Sequence, residues 1–151
     1  MTSTNNYNTI ATFIHLSVFS KYFIPLGNYI VPAVLWMTNK DKSNFIDANG
    51  KEALNFQLSI LLYTLILGSI SIPFFLFTFF DGFSFFNFFP AESFHFNFSE
   101  IGGFRTLIGA SVIGIIALIG FFIEIVCIIN AAAKANKGEP YQYPFTIRFL
   151  R

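Results

Sequence analysis

From Ala53 to Phe80 the chain carries no charged residue. This run follows directly on the polar segment Asp47-Ala48-Asn49-Gly50-Lys51-Glu52. A helix rises ~1.5 Å per residue and the hydrocarbon core of a bilayer is ~30 Å thick, so about 20 apolar residues cross it. A soluble domain has no use for so long an apolar helix, and the chain reads as an integral membrane protein. Charged residues are 11% of the sequence, against about 25% in soluble domains, so those that remain carry information by position.

The expected fold class is all-α: one helical membrane bundle over residues 1–151. Three spans are read, at about 10–37, 53–80 and 106–133. The first contains His15, Lys21, Pro25, Gly27, Asn28 and Pro32. Proline removes a backbone donor and loosens a helix, so this span is expected to break near Pro25–Gly27, with helical pieces at Ile10–Phe23 and on to Met37. Four crossings result if the broken segment crosses twice. Thr38–Glu52 reads as a polar loop with a turn at Asn49-Gly50. Pro73 is the expected kink in the second span. Residues 81–105 read as a Phe-rich extracytoplasmic loop at the interface, and 134–151 as a cytoplasmic tail with a helix stop at Gly138.

Basic residues set the orientation. Lys40, Lys42 and Lys51 lie in the first loop, Lys134, Lys137, Arg148 and Arg151 in the tail, and only Arg105 in the loop between the second and third spans. Cytoplasmic segments carry the excess of Lys and Arg. The loop and the C-terminus are therefore expected inside. Three spans place the N-terminus outside; a re-entrant first segment brings it inside.

Glu124 lies within the third span. A carboxylate at membrane depth is costly and should face protein or water with a partner; His15 and Lys21 are the available ones. The residues support an ion or proton site, or a structural ion pair. In the second span Glu52, Asn55, Ser59 and Tyr63 recur on one helical face, a polar stripe that should meet another helix or a wet cavity. On the third, Ala110, Gly114, Ala117 and Gly120 form a small-residue stripe suited to close helix approach. His15 and His95 have no ligand-spaced carboxylates around them, so no metal site is read. Cys127 is the only cysteine, which excludes an internal disulfide. No nucleophile motif, phosphate loop or HExxH is present. The chain is expected to be no enzyme, to need no cofactor and to bind no nucleic acid.

Three stretches together carry a resemblance: HLSVFSKYFIPLGNYIVPAVLWMTNKDKSNFID, NGKEALNFQLS and NAAAKANKGEPYQYPFTIRFL. The set resembles a family of small bacterial membrane proteins of unknown function, itself distantly similar to the channel subunit of the chloroplast inner-envelope protein-import machinery. The motif picks out Pro25, Pro32, Trp36, Lys51, Glu52, Asn55, Gln57, Gly138, Tyr143 and Pro144. The resemblance implies a multi-pass helical protein of the bacterial inner membrane, forming or flanking a conducting path. Two functional expectations follow. In the first, the chain is a pore or translocation component, working as a homo-oligomer, whose polar path uses Glu124, His15, Lys21, Asn55 and Ser59. In the second it is an accessory scaffold that docks a membrane or cytoplasmic protein through Lys51, Glu52, Gln57 and Tyr143.

Overall fold

The computed structural model describes residues 2–79 and 101–151. Four α-helices appear in chain order: α1 (Thr2–Leu16), α2 (Gly27–Asn39), α3 (Asn44–Phe79) and α4 (Ile101–Asn136). Short 3₁₀ segments follow α1 at Ser17–Tyr22 and α2 at Lys40–Lys42. Among the described residues all regular structure is helical.

The chain divides into two compact units. One comprises residues 1–63 and 122–151, the other residues 64–121. Segments 44–73 of α3 and 107–136 of α4 are each long and apolar enough to cross a bilayer. Helices α3 and α4 have 36 residues each, or about 54 Å of rise.

In the first unit, α1 and α2 form a hairpin. Tyr7, Ile10, Ile14 and Val18 recur at helical spacing, which gives α1 and the 3₁₀ segment one apolar stripe. Tyr7, Ile10, Leu35 and Trp36 all pack on the buried cluster of Ile14, Ile46 and Ala53. Residues near the start of α1 and the end of α2 thus meet the same part of α3, so the chain reverses between them. The expected break near Pro25 is present, but as a reversal of direction rather than a kink. Its geometry explains why. The amide of Ile24 donates to the Ser20 carbonyl at 2.9 Å, and Leu26 takes a left-handed φ of 60°. At Gly27 a Cβ would lie 2.7 Å from the Ser20 carbonyl oxygen, so only glycine permits so close an approach. With 15 and 13 residues, α1 and α2 rise about 22 and 20 Å, each short of a ~30 Å core.

Three boundaries differ from the sequence expectation. Helix α3 begins at Asn44, so Asn49-Gly50 is helical rather than a turn, and the polar loop shrinks to the few residues around Lys40–Lys42. The cause is tertiary: Asn49 is buried, and the indole of Trp36 lies so close to Gly50 that any Cβ there would collide with it. Helix α3 also runs unbroken through Pro73. Finally, α4 starts at Ile101, so Gly102-Gly103 lies inside a helix. The rest of the Phe-rich stretch, 80–100, is outside the described residues.

The second core cluster joins Val18, Phe56, Cys127, Ile128, Ala131 and Tyr143. It ties the hairpin, α3, α4 and the tail into one body. After α4, Gly138 takes a φ of 77°, and the amides of Gly138 and Glu139 donate to the carbonyls of Ala135 and Lys134. The chain then returns along α3. In the second unit, residues 64–73 and 107–121 leave large apolar side chains open, among them Ile70 at 70% and Leu107 at 67%. A Cβ at Gly114 or Gly120 would meet nothing among the described residues, so no described helix backbone sits against the small-residue stripe there.

Candidate functional site

The polar residues of the first unit form three connected groups. The first is the stripe of α3. Asn55, Ser59 and Tyr63 lie four residues apart and project from one face. Among the described residues their bonds go to the tail of the same chain rather than to a second helix, and Asn55 also lines a cavity there. The Asn55 side-chain oxygen accepts from the amides of Phe149 and Leu150 at 3.1 and 2.8 Å, and its nitrogen donates to the Leu150 carbonyl at 3.0 Å. The Ser59 hydroxyl accepts from the Ile147 amide at 2.8 Å and donates to the Asn55 carbonyl at 2.7 Å. The Tyr63 hydroxyl donates to the Phe145 carbonyl at 2.7 Å. Residues 145–150 are not helical and need partners for their backbone groups. Three side chains of α3 supply them, as a neighbouring strand would. Phe145, at the turn of the tail, has a φ of 58°, a conformation uncommon for a residue with a side chain.

The second group is an ion pair between the hairpin tip and α4. Lys21 Nζ lies 2.6 Å from Glu124 Oε1, with side chains 22% and 9% exposed. Of the two partners expected for Glu124, the structure supplies Lys21 and places His15 elsewhere. Nearby on the hairpin, Asn28 donates to the side-chain oxygen of Gln57 at 2.8 Å. Gln57 is fully buried, and its amide nitrogen, like the Ser20 hydroxyl, has no hydrogen-bond partner among the described residues.

The third group is His15, fully buried between Asn49 and Tyr143. Asn49 donates through its nitrogen to the Phe45 carbonyl at 2.8 Å, which turns its oxygen toward His15 Nε2, 2.9 Å away. Nε2 must therefore carry a hydrogen. In the neutral ring Nδ1 is then an acceptor for the Tyr143 hydroxyl, also at 2.9 Å. Burial first, and the neighbouring Tyr141 second, push the Tyr143 phenol well above its ordinary value of 10.0, so it keeps the proton it donates. The Tyr143 ring stacks on Phe56 with centroids 4.1 Å apart.

Of the expected docking set, Gln57 and Tyr143 are buried, and both hold the unit together. Lys51 and Glu52 are half-buried and line a cavity of about 420 Å³ between the first turns of α3 and the tail. Lys51 is paired with Asp47 at 2.6 Å. Sequence reasoning passed over Asn49, whose pairing with His15 bridges distant segments, and the tail backbone itself. The signal for the tail was present: a polar stripe with no polar helix to face it. Among the described residues no group of three or more metal-ligating side chains occurs.

The N-terminal end of the hairpin meets the C-terminal end of α4, and its C-terminal end meets the start of α3. The Asn8 side chain donates to the Asn136 carbonyl at 3.3 Å, and the Trp36 indole donates to Asp47 at 2.9 Å.

Residues 6–150 match the model of the MamF/MmsF family, described as the magnetosome magnetite crystal formation protein family. No curated protein and no solved structure matches the chain. The small bacterial membrane family expected from the motifs is thus found, and none of these matches extends to the chloroplast import channel subunit.

Proposed function

Because the chain belongs to the MamF/MmsF family of magnetosome magnetite crystal formation proteins, we propose that it serves magnetite formation as a membrane scaffold. In this reading it docks a protein partner at the end of the first unit where the N-terminus, the Lys40–Lys42 turn and the tail converge. The observation that carries it is the closure of the polar stripe. A conducting path needs polar groups open to water, whereas Asn55 and Ser59 are 2% and 1% exposed and bonded to the tail. Exposed Lys40, Asp41, Lys42 and Lys137 leave a charged surface at that end for a partner.

In the same reading α3 and α4 cross the membrane, and the hairpin enters and leaves by one face. Phe23, Ile24 and Leu26 at its tip are 87%, 51% and 65% exposed, which suits contact with acyl chains. The N-terminus then shares the cytoplasmic side with the tail, in place of the three-span arrangement with the N-terminus outside. Cysteines placed at Asn5 and Lys137 should react alike with an impermeant maleimide in sealed vesicles of either orientation; opposite accessibility refutes the hairpin.

The scaffold reading is tested in magnetosome-forming cells by replacing the native chain with Lys40→Glu/Lys42→Glu/Lys137→Glu. Smaller or misshapen magnetite crystals by electron microscopy, with the variant still in the membrane, are expected. Unchanged crystals refute the docking face. The Lys21–Glu124 pair favours the pore as the second reading. Ion flux through reconstituted protein that changes in Glu124→Gln establishes the pore and removes the scaffold reading; no flux from either protein removes the pore.

A further inference from the structure

The cavity between α3 and the tail combines features that docking does not use. Its walls include Lys51 and Glu52 from α3 and Arg148 and Arg151 from the tail. Lys51 is already paired with Asp47. Arg148 and Arg151 make no ion pair or hydrogen bond through their side chains among the described residues, and both are exposed. Arg148, Arg151 and Glu52 therefore line a space of about 420 Å³, with one net positive charge once Lys51 is counted with Asp47. Asn55 fixes the backbone of Phe149 and Leu150, which lie between the two arginines in the chain.

The position matters as much as the charge. Glu52 in the cavity wall is where the polar start of α3 gives way to the uncharged run from Ala53. In a spanning helix that junction is the headgroup level. On the tail, Phe145, Ile147 and Phe149 are 82%, 40% and 49% exposed, an apolar strip outside the cavity wall on the same segment that carries Arg148. A ligand with an anionic head and an apolar tail matches both.

We propose that this cavity is a phosphate-binding site whose ligand is the headgroup of an anionic phospholipid. The phosphodiester takes the forked donors of Arg148 and Arg151, since guanidinium geometry matches phosphate oxygens. Glu52 accepts from a hydroxyl of the headgroup, which favours phosphoglycerol over a choline head that has none. The acyl chains lie along Phe145, Ile147 and Phe149. The site needs no protein partner, so it stands or falls separately from the docking face.

The test uses the purified full-length chain in neutral detergent, with lipid binding followed by native mass spectrometry. The probes are short-chain phosphatidylglycerol, phosphatidylethanolamine, phosphatidylcholine and inorganic phosphate. Phosphatidylglycerol should bind saturably and ahead of the other two lipids. Each basic residue at an anionic lipid surface contributes roughly fivefold, so Arg148→Gln/Arg151→Gln should weaken binding about twenty-five-fold. Lys42→Gln/Lys137→Gln removes the same charge away from the cavity and should leave binding unchanged. The fluorescence melting of Trp36, the single tryptophan, reports whether each variant is folded. If inorganic phosphate binds through the same arginines and the lipid has no advantage over it, the phosphate site stands with a free anion as its ligand. Equal binding of all three lipids overturns the proposal. So does phosphatidylglycerol binding that survives loss of both arginines in a folded variant, or that falls equally in the lysine control.

Discussion

Replacing Asn55 with alanine should free the tail while leaving the four helices in place. Asn55 is 2% exposed and makes three bonds to the tail, at 2.8, 3.0 and 3.1 Å. A buried intramolecular hydrogen bond contributes about 1 kcal/mol net, and a backbone group left without a partner costs about 1–3 kcal/mol. Alanine removes all three bonds, and water can reach part of the released segment, so roughly 3 kcal/mol is expected. That is about a hundredfold change in the ratio of docked to free tail at 1.4 kcal/mol per factor of ten. Hydrogen–deuterium exchange of the native chain and the variant, in the same micelles, reads this directly. The amides of Phe149 and Leu150 should lose about a hundredfold in protection, and those of residues 124–135 in α4 should keep theirs. Asn55→Asp retains the acceptor oxygen for both amides and loses only the bond to the Leu150 carbonyl, so its effect should be smaller. If the amides of Phe149 and Leu150 exchange at the same rate in all three proteins, the ladder does not hold the tail, and the account of the polar stripe is wrong.

Other outcomes follow from single contacts. Glu124→Gln leaves Lys21 without its counter-charge in a largely buried site. At the lower end of the range for broken buried pairs, because Lys21 is 22% exposed, it should cost about 3 kcal/mol in chemical or thermal unfolding; Lys21→Met/Glu124→Gln should recover part of that loss. Gly50→Ala drives a methyl group into the Trp36 ring and should break the indole bond to Asp47, seen as a red shift of the single tryptophan emission and a lower melting temperature. Tyr143→Phe keeps the stack on Phe56 and removes the bond to His15, for a loss of about 1–2 kcal/mol. Because the folded Tyr143 phenol holds its proton beyond the ordinary range while the unfolded one releases it, this residue's contribution falls as pH rises above about 10. The alkaline limb of the native chain's stability curve should therefore be steeper than that of the phenylalanine variant.

The membrane class, the long helices and the break at Pro25 were readable from composition and from the places where prolines interrupt an apolar run. That Glu124 needs a partner followed from the cost of an isolated charge at depth, which left His15 and Lys21 as candidates; the structure supplies Lys21. What could not be read was direction. A run with a break has the same hydropathy whether it kinks or reverses, and only the packing of Leu35 and Trp36 against Ile14 decides between them. Asn49-Gly50 carries a turn signature because those residue types tolerate turns, and that preference is local. In the fold, glycine leaves room for Trp36 and asparagine holds His15, so tertiary packing overrides it. The polar stripe was seen on the correct face, but the sequence suggested a helix or water opposite it. Backbone carries no sequence signature as a hydrogen-bond partner, so a non-helical tail filling that role was invisible until the fold closed.

The ladder between α3 and the tail also has a consequence in time. Asn55 and its partner Leu150 are 95 positions apart in the chain. At ribosomal speeds of about 5–20 residues per second, the second partner follows the first by roughly 5–20 seconds. If α3 crosses the membrane as proposed, it enters in that interval with Asn55, Ser59 and Tyr63 still lacking their partners in the tail. Their first partners are then whatever the insertion machinery, interfacial water or another chain provides. A nascent chain stalled before Phe145 has helices able to span and a polar seam still open. The released protein differs from it by the closing of that seam, so the tail acts as the clasp of a structure whose other parts are already in place.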